Sequence, residues 1–314
     1  MNTRTISAAT PIRTSPRAAP LPPAIDAEEG DVDIMGEGRV HYYADRSVKG
    51  RPVVLLHSVN AAASSYEMRP LFEALRGTRR VFAFDLPGFG RSARDARTYS
   101  PEFFARAIER FGIDVASPQG APCDLVALSL SCEFAARAAL VNPALFHQLT
   151  FISPSGLSSH RPRKTVEALR AHALAPLLHI GPVGRGVFKL LATRRSIRYF
   201  LSKSFVGPVD EGLATYAYLA AHVAGAERAP ISFVAGELFT PDAADSLYTP
   251  LRVPTLVLHD TDAYTDFGAL DAVCARNLEF RAQRIAPSRG LPQFEQTHAV
   301  VAAVNRPERP DNDA

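Results

Sequence analysis

Short, continuous apolar runs punctuate the chain. They are Val53-Val54-Leu55-Leu56, Val81-Phe82-Ala83-Phe84, Leu125-Val126-Ala127-Leu128, Leu149-Thr150-Phe151-Ile152 and Thr255-Leu256-Val257-Leu258. A strand with one face in water alternates apolar and polar positions, whereas a strand covered on both faces does not. These runs therefore predict buried strands of a parallel sheet. Between them, residues 66–75, 101–111, 133–140 and 267–276 space their apolar side chains as helices do. Strand–helix alternation at this interval predicts an α/β domain with a doubly wound sheet. Ahead of it, residues 32–35 and 40–43 alternate polar and apolar. They read as antiparallel edge strands joined by a turn at Gly36-Glu37-Gly38.

From about 156 to 244 this rhythm stops. Between Arg161 and Lys203 ten Lys and Arg stand against one acid, Glu167, while the whole chain carries a net charge of only +3. Val187, Leu190, Leu191, Ile197, Phe200, Leu201 and Phe205 recur at helical spacing in the same stretch, which predicts a basic amphipathic helix in an inserted helical lobe. Such a face either meets acidic surfaces or is simply solvated over an apolar stripe. Gly181-Pro182-Val183-Gly184-Arg185-Gly186 imitates a phosphate loop, but no strand precedes it, so it is not read as a nucleotide site.

The first thirty residues are rich in Pro, Ala, Ser and Thr, with three arginines and no acid before Asp26. They offer little to bury and are read as a disordered tail, a transit peptide being the other reading of that composition. The expected organisation is a tail over 1–30, a core over 31–155 and 245–314, and a helical cap over 156–244. Cys123, Cys132 and Cys274 show no C-x-x-C spacing, which suits reduced thiols and a cytoplasmic location. No apolar run reaches the roughly eighteen residues of a transmembrane helix. The low net charge argues against nucleic acid as a partner. No cofactor motif and no metal-ligand spacing stands out.

The densest chemical signal is Asp124-Leu125-Val126-Ala127-Leu128-Ser129-Leu130-Ser131-Cys132-Glu133. A buried strand runs into Ser129 and a helix starts at once. That is the setting of a nucleophile elbow, usually G-x-S-x-G, with the small residues Ala127 and Ser131 here in place of the glycines. The plainer reading is that Ser129 caps the helix. Asp85-Leu86-Pro87-Gly88-Phe89-Gly90-Arg91-Ser92 follows one predicted strand, and Leu55-Leu56-His57-Ser58-Val59-Asn60 ends another. In order and spacing the three segments resemble the α/β-hydrolase superfamily, with D-x-P-G-x-G-x-S and H-G-x-x at these points. Pro154-Ser155-Gly156 and Val253-Pro254-Thr255-Leu256-Val257-Leu258-His259 are similar to it too.

The resemblance implies an α/β-hydrolase fold with its helical cap inserted after the sixth strand. It implies Ser129 as nucleophile and the backbone N–H groups of Val59 and Leu130 as an oxyanion hole. His57, Ser58 and Asn60 would border the pocket, with His57 read as an ordering residue and Ser58 standing where the family has glycine. The acid falls in His259-Asp260-Thr261-Asp262-Ala263-Tyr264-Thr265-Asp266, with Asp262 preferred and Asp260 and Asp266 as alternatives.

The catalytic histidine is missing. In Arg289-Gly290-Leu291-Pro292-Gln293-Phe294-Glu295 the family frame puts it at Gly290, or in a variant placement at Gln293. His298 is the nearby substitute, and His160, His172, His179 and His222 lie in the inserted lobe. Two functions follow. One is a hydrolase of small, mostly apolar ester or acyl-type substrates, impaired because a serine hydroxyl needs an adjacent base. The other is a non-catalytic ligand-binding or regulatory protein on the same scaffold.

Overall fold

The five apolar runs become five adjacent strands. The computed structural model describes residues 20–34, 36, 38–159 and 176–306. The strands are β1 (Glu28–Ile34), β2 (Gly38–Asp45), β3 (Pro52–Leu56), β4 (Arg80–Phe84), β5 (Cys123–Leu128), β6 (Phe146–Ile152), β7 (Thr255–Thr261) and β8 (Phe280–Arg289). They form an 8-stranded sheet in the order β1-β2-β4-β3-β5-β6-β7-β8. β2 pairs antiparallel with both β1 and β4, and every pair from β4 through β8 is parallel. The expected edge hairpin is present, with Ile34 opposite Gly38.

Two cores explain the unbroken apolar runs. Val54, Leu56, Phe82, Phe84, Leu125, Ala127 and Phe151 point to one face. There they meet α2 (Pro101–Phe111), α3 (Ser131–Val141) and α8 (Leu270–Arg276). Val53, Leu55, Val81, Ala83, Val126, Leu128 and Ile152 point to the other face. That face is covered by α1 (Arg69–Leu75) and α10 (Thr297–Val304). Successive strand residues face opposite ways, so both parities must be apolar when both faces are covered. On the first face aromatic rings stack, Phe104 on Phe134 at 4.9 Å and Phe84 on Phe111 at 4.2 Å between centroids.

Between β6 and β7 the chain leaves the sheet for α4 (Gly181–Leu191), α5 (Arg194–Ser202), α6 (Glu211–Ala220) and α7 (Arg228–Val234). The single amphipathic helix expected across this stretch is two. The break comes at Thr193, whose hydroxyl accepts from the Ser196 N–H and so starts a new helix. Gly181–Gly186 opens α4 as helix. His160 and His172 fall outside the described residues.

Part of the segment expected as a tail, from residue 20 on, is packed onto the fold. Ala24 and Ile25 are buried in the second core, and the Ala24 N–H donates to the Tyr43 hydroxyl at 2.9 Å. Tyr216 of α6 donates its hydroxyl proton to the Pro22 carbonyl. Residues 1–19 fall outside the described residues. Among the described residues no helix is long and apolar enough to cross a membrane.

Candidate active site

Parallel strands end on one edge of a sheet, so whatever follows β3, β5, β6, β7 and β8 collects there. Ser129 follows β5 with φ 56°, a left-handed backbone that side-chain-bearing residues rarely adopt. The chain turns there from strand to helix, its N–H donating to the Ile152 carbonyl at 2.9 Å. Ser129 is partly buried, and its hydroxyl bonds to no group among the described residues. The small flanks are both buried. Ser131, in a glycine's usual place, uses its hydroxyl to donate to the His57 carbonyl at 2.6 Å, tying α3 to the loop after β3.

That loop is held from several sides. The Leu86 N–H donates to His57 Nε2 at 2.9 Å, so the ring proton sits on Nδ1, which lies 2.6 Å from the Ser58 carbonyl. Both nitrogens of this fully buried histidine are spent, and it has none to lend to Ser129. The carboxylate of Glu67 accepts from the Ser58 N–H at 2.7 Å and from Asn60 Nδ2 at 2.9 Å. Asn60 also bonds the Ser58 hydroxyl and caps the Ala62 N–H. The polar atoms of His57, Ser58 and Asn60 thus bind the loop to itself rather than turning to a ligand. What the loop leaves unpaired is backbone. The N–H groups of buried Val59 and Leu130 donate to nothing among the described residues.

The D-x-P-G-x-G-x-S segment braces the same loop. Buried Asp85 accepts from the Ser65 and Arg91 N–H groups, each at 2.8 Å. A Cβ on Gly90 would stand 2.0 Å from the Asp85 carboxyl, so only glycine fits there.

The three candidate acids separate cleanly. Burial alone would raise the Asp260 carboxyl, but the Ser288 N–H and the Arg284 guanidinium, both bonded to it, hold it below the usual range. Asp266 accepts from the Gly268 N–H in its own loop and from the Ser159 N–H of the segment after β6. Asp262 has no cationic partner among the described residues. Burial pushes its carboxyl up, against the N–H groups of Tyr264 and Thr265 that favour the charged form. A Cβ built on Gly290 would lie 3.1 Å from Asp262 Oδ2 and 3.4 Å from Ser204 Cβ. Asp262 and Gly290, one of the two positions where the resemblance expects the family's histidine, are therefore side by side.

Gln293, at the variant position, is fully buried on α9 (Pro292–Glu295). Its Nε2 donates to the Glu67 carbonyl at 3.1 Å, and its Oε1 accepts from no described group. His298 is exposed on α10 and bonds to no described group, so it is not brought to Ser129. His179 pairs with Glu237, and His222 lies on Tyr218 with Nδ1 at its carbonyl. Two residues that the sequence did not mark are Glu67 and Glu133. Glu133, buried four residues after Ser129, bonds the Ser155 hydroxyl and accepts from the Thr240 N–H, and burial raises its carboxyl. Nothing in sequence marks either carboxylate, because their partners lie on other elements.

Comparison with known proteins settles the family. Residues 53–304 match the model of the alpha/beta hydrolase family. The chain belongs to the alpha/beta hydrolase family. No curated protein matches it in sequence. Among solved structures it is similar to a serine hydrolase of carbazole degradation, with a TM-score of 0.69 and 18% identity over 88% of this chain and 97% of that one. A carboxylesterase from Bacillus subtilis aligns with a TM-score of 0.68 at 18% identity, over 89% and 90% of the two chains. A haloalkane dehalogenase from Agrobacterium tumefaciens aligns with a TM-score of 0.66 at 18% identity, over 88% and 94%. At such identity these likenesses speak for the fold alone.

Proposed function

We propose that this protein is a serine hydrolase for small, mostly apolar esters or related acyl compounds, with Ser129 as nucleophile and turnover limited by the missing histidine. The observation that carries the reading is the left-handed Ser129, its hydroxyl unengaged among the described residues, with Leu130 next in the chain and the loop that holds Val59 tied to α3 by the Ser131–His57 bond. In this reading Ser129 Oγ attacks the ester carbonyl and loses its proton to water. The charge that develops on the carbonyl oxygen is met by the Val59 and Leu130 N–H groups. The alcohol leaves with a proton from solvent, and a second water releases the acid and restores Ser129. Without an imidazole to carry these protons, the residual acceleration is about 10³–10⁴ over water. Asp262 is the family's acid, left without the base it would orient.

Residues 156–244 act as a cap in this reading. Support comes from Ser204 lying against Gly290 and from the Tyr264 hydroxyl donating to the Phe200 carbonyl at 3.4 Å. The absence of any pairing among the three cysteines fits a reducing compartment such as the cytoplasm.

The test is labelling with a broad fluorophosphonate probe, located by mass spectrometry, on parent and Ser129→Ala protein. Adduct on Ser129 alone, with Ser129→Ala losing ester turnover, is expected. A Ser129→Ala variant as active as its parent sinks the reading. Gly290 favours a second reading, a binding protein that holds an apolar ligand without turning it over. Saturable binding of an apolar ester with no Ser129 adduct and no product would establish it.

A further inference from the structure

Helices α4 and α5 bury one face and leave the other bare. Phe188 of α4 and Ile197 of α5 pack with Ala217 of α6 in a small core of their own. Val183 and Leu190 are two helical turns apart, on the side of α4 away from Phe188, and Tyr199 is on the side of α5 away from Ile197. Their exposures are 43%, 72% and 56%. A single exposed leucine is ordinary, but these side chains stand among cations. Residues 176–206 hold six Lys and Arg and no Asp or Glu. Lys189 and Arg195 make no ion pair among the described residues, and Lys203 lies over the Tyr199 ring at 4.9 Å.

We propose that this face docks the protein on an anionic phospholipid bilayer. Exposed aliphatic and aromatic side chains flanked by Lys189 and Arg195, which have no acidic partner among the described residues, match an interface that has anionic headgroups outside and hydrocarbon just beneath. Nucleic acid would engage the cations but leave Leu190 and Val183 in water. A two-fold contact with a second copy would set cation against cation. The face also borders the Asp262 end of the site, through the contacts of Phe200 with Tyr264 and of Ser204 with Gly290. Docking there would let apolar molecules enter from the lipid. The proposal does not depend on chemistry at Ser129.

The test is co-sedimentation of the full chain with phosphatidylcholine vesicles, with and without phosphatidylglycerol, at low and high salt. Binding is expected only with phosphatidylglycerol, and it weakens as salt screens the charges. Lys189→Ala with Arg195→Ala should weaken it about 30-fold, since each cation at an anionic surface is worth about fivefold. Leu190→Ser should weaken it about tenfold, through lost burial of the side chain. All these substitutions are on exposed positions away from the site, so circular dichroism and the fluorophosphonate adduct should match the parent. Equal binding of parent and variants, or no binding by folded parent, overturns the proposal. So does a chain that self-associates through this face, with Leu190→Ser yielding monomer and no vesicle affinity seen for either. Tighter binding to soluble polyglutamate than to the anionic vesicles would reassign the face to an acidic protein.

Discussion

At Gly290 the proposed triad lacks its histidine. The φ of Gly290 is 71°, and Asp262 Oδ2 and Ser204 crowd the space where a side chain would start. Histidine is one of the side chains better tolerated at positive φ, so Gly290→His should fold at a cost of about 1–3 kcal/mol. Its imidazole would then have an acid beside it. We expect model-ester turnover to rise by about 10²–10⁴, the usual worth of a positioned general base. We further expect the gain to disappear in Gly290→His with Asp262→Asn. A folded Gly290→His protein with parental turnover would show that position 290 does not address Ser129. Glu133 allows a second test at this scale, through pH. Burial raises its carboxyl above the ordinary 4.5 despite the Ser155 and Thr240 bonds. The native state then holds a proton that the unfolded chain releases, so stability falls as pH climbs from the ordinary value through the raised one and is flat above it. Glu133→Gln keeps an acceptor for the Thr240 N–H and has no charge to bury. Urea unfolding across that window should show the parent losing stability relative to Glu133→Gln as pH rises. A constant difference between them would mean that Glu133 titrates alike in both states.

At the scale of elements, the sheet is legible wherever burial on both faces writes itself as a continuous apolar run. The strand that neither runs nor alternation revealed is β8, whose Phe280-Arg281-Ala282-Gln283-Arg284 exposes most of its side chains, because it is an edge strand that among the described residues pairs only with β7. The split of α4 from α5 is hidden for a different reason. The apolar spacing continues past Thr193, and only the capping bond made by its hydroxyl marks the break. The elbow segment and the candidate acids are local, hence readable. The roles of Glu67 and Glu133 are not, since a carboxylate becomes structural only when distant N–H groups fold onto it. The α2–α3 seam is the element contact with the plainest energetic expectation. Phe134 lies fully buried on Phe104, with an interplanar angle of 13°. Phe134→Ala leaves a cavity between α2 and α3 and should cost about 3–5 kcal/mol. It is measured as a drop in the urea midpoint at unchanged slope. A cost under about 1 kcal/mol would mean that the seam collapses onto the space.

At the scale of the whole molecule, the segment ahead of β1 straps the inserted helices to the sheet. Pro22 receives the Tyr216 hydroxyl of α6, Ala24 reaches Tyr43 of β2, and the Asp26 carbonyl accepts from Arg76 beside α1. Tyr216 also stacks on Tyr66 at 4.9 Å between centroids, just before α1. One short stretch of chain therefore joins α6, β2 of the sheet and the end of α1. Ile25 is its anchor, 1% exposed in the second core. Ile25→Ala should cost about 2–5 kcal/mol of global stability as the cavity opens. A chain beginning at Pro20 keeps every one of these contacts and should melt with the parent, whereas one beginning at Glu28 loses them all. If the strap holds α6 in place, the shorter chain should also react with fluorophosphonate at an altered rate under conditions where it is still fully folded. Equal labelling rates in both truncated chains would confine the strap to stability and separate it from the geometry around Ser129.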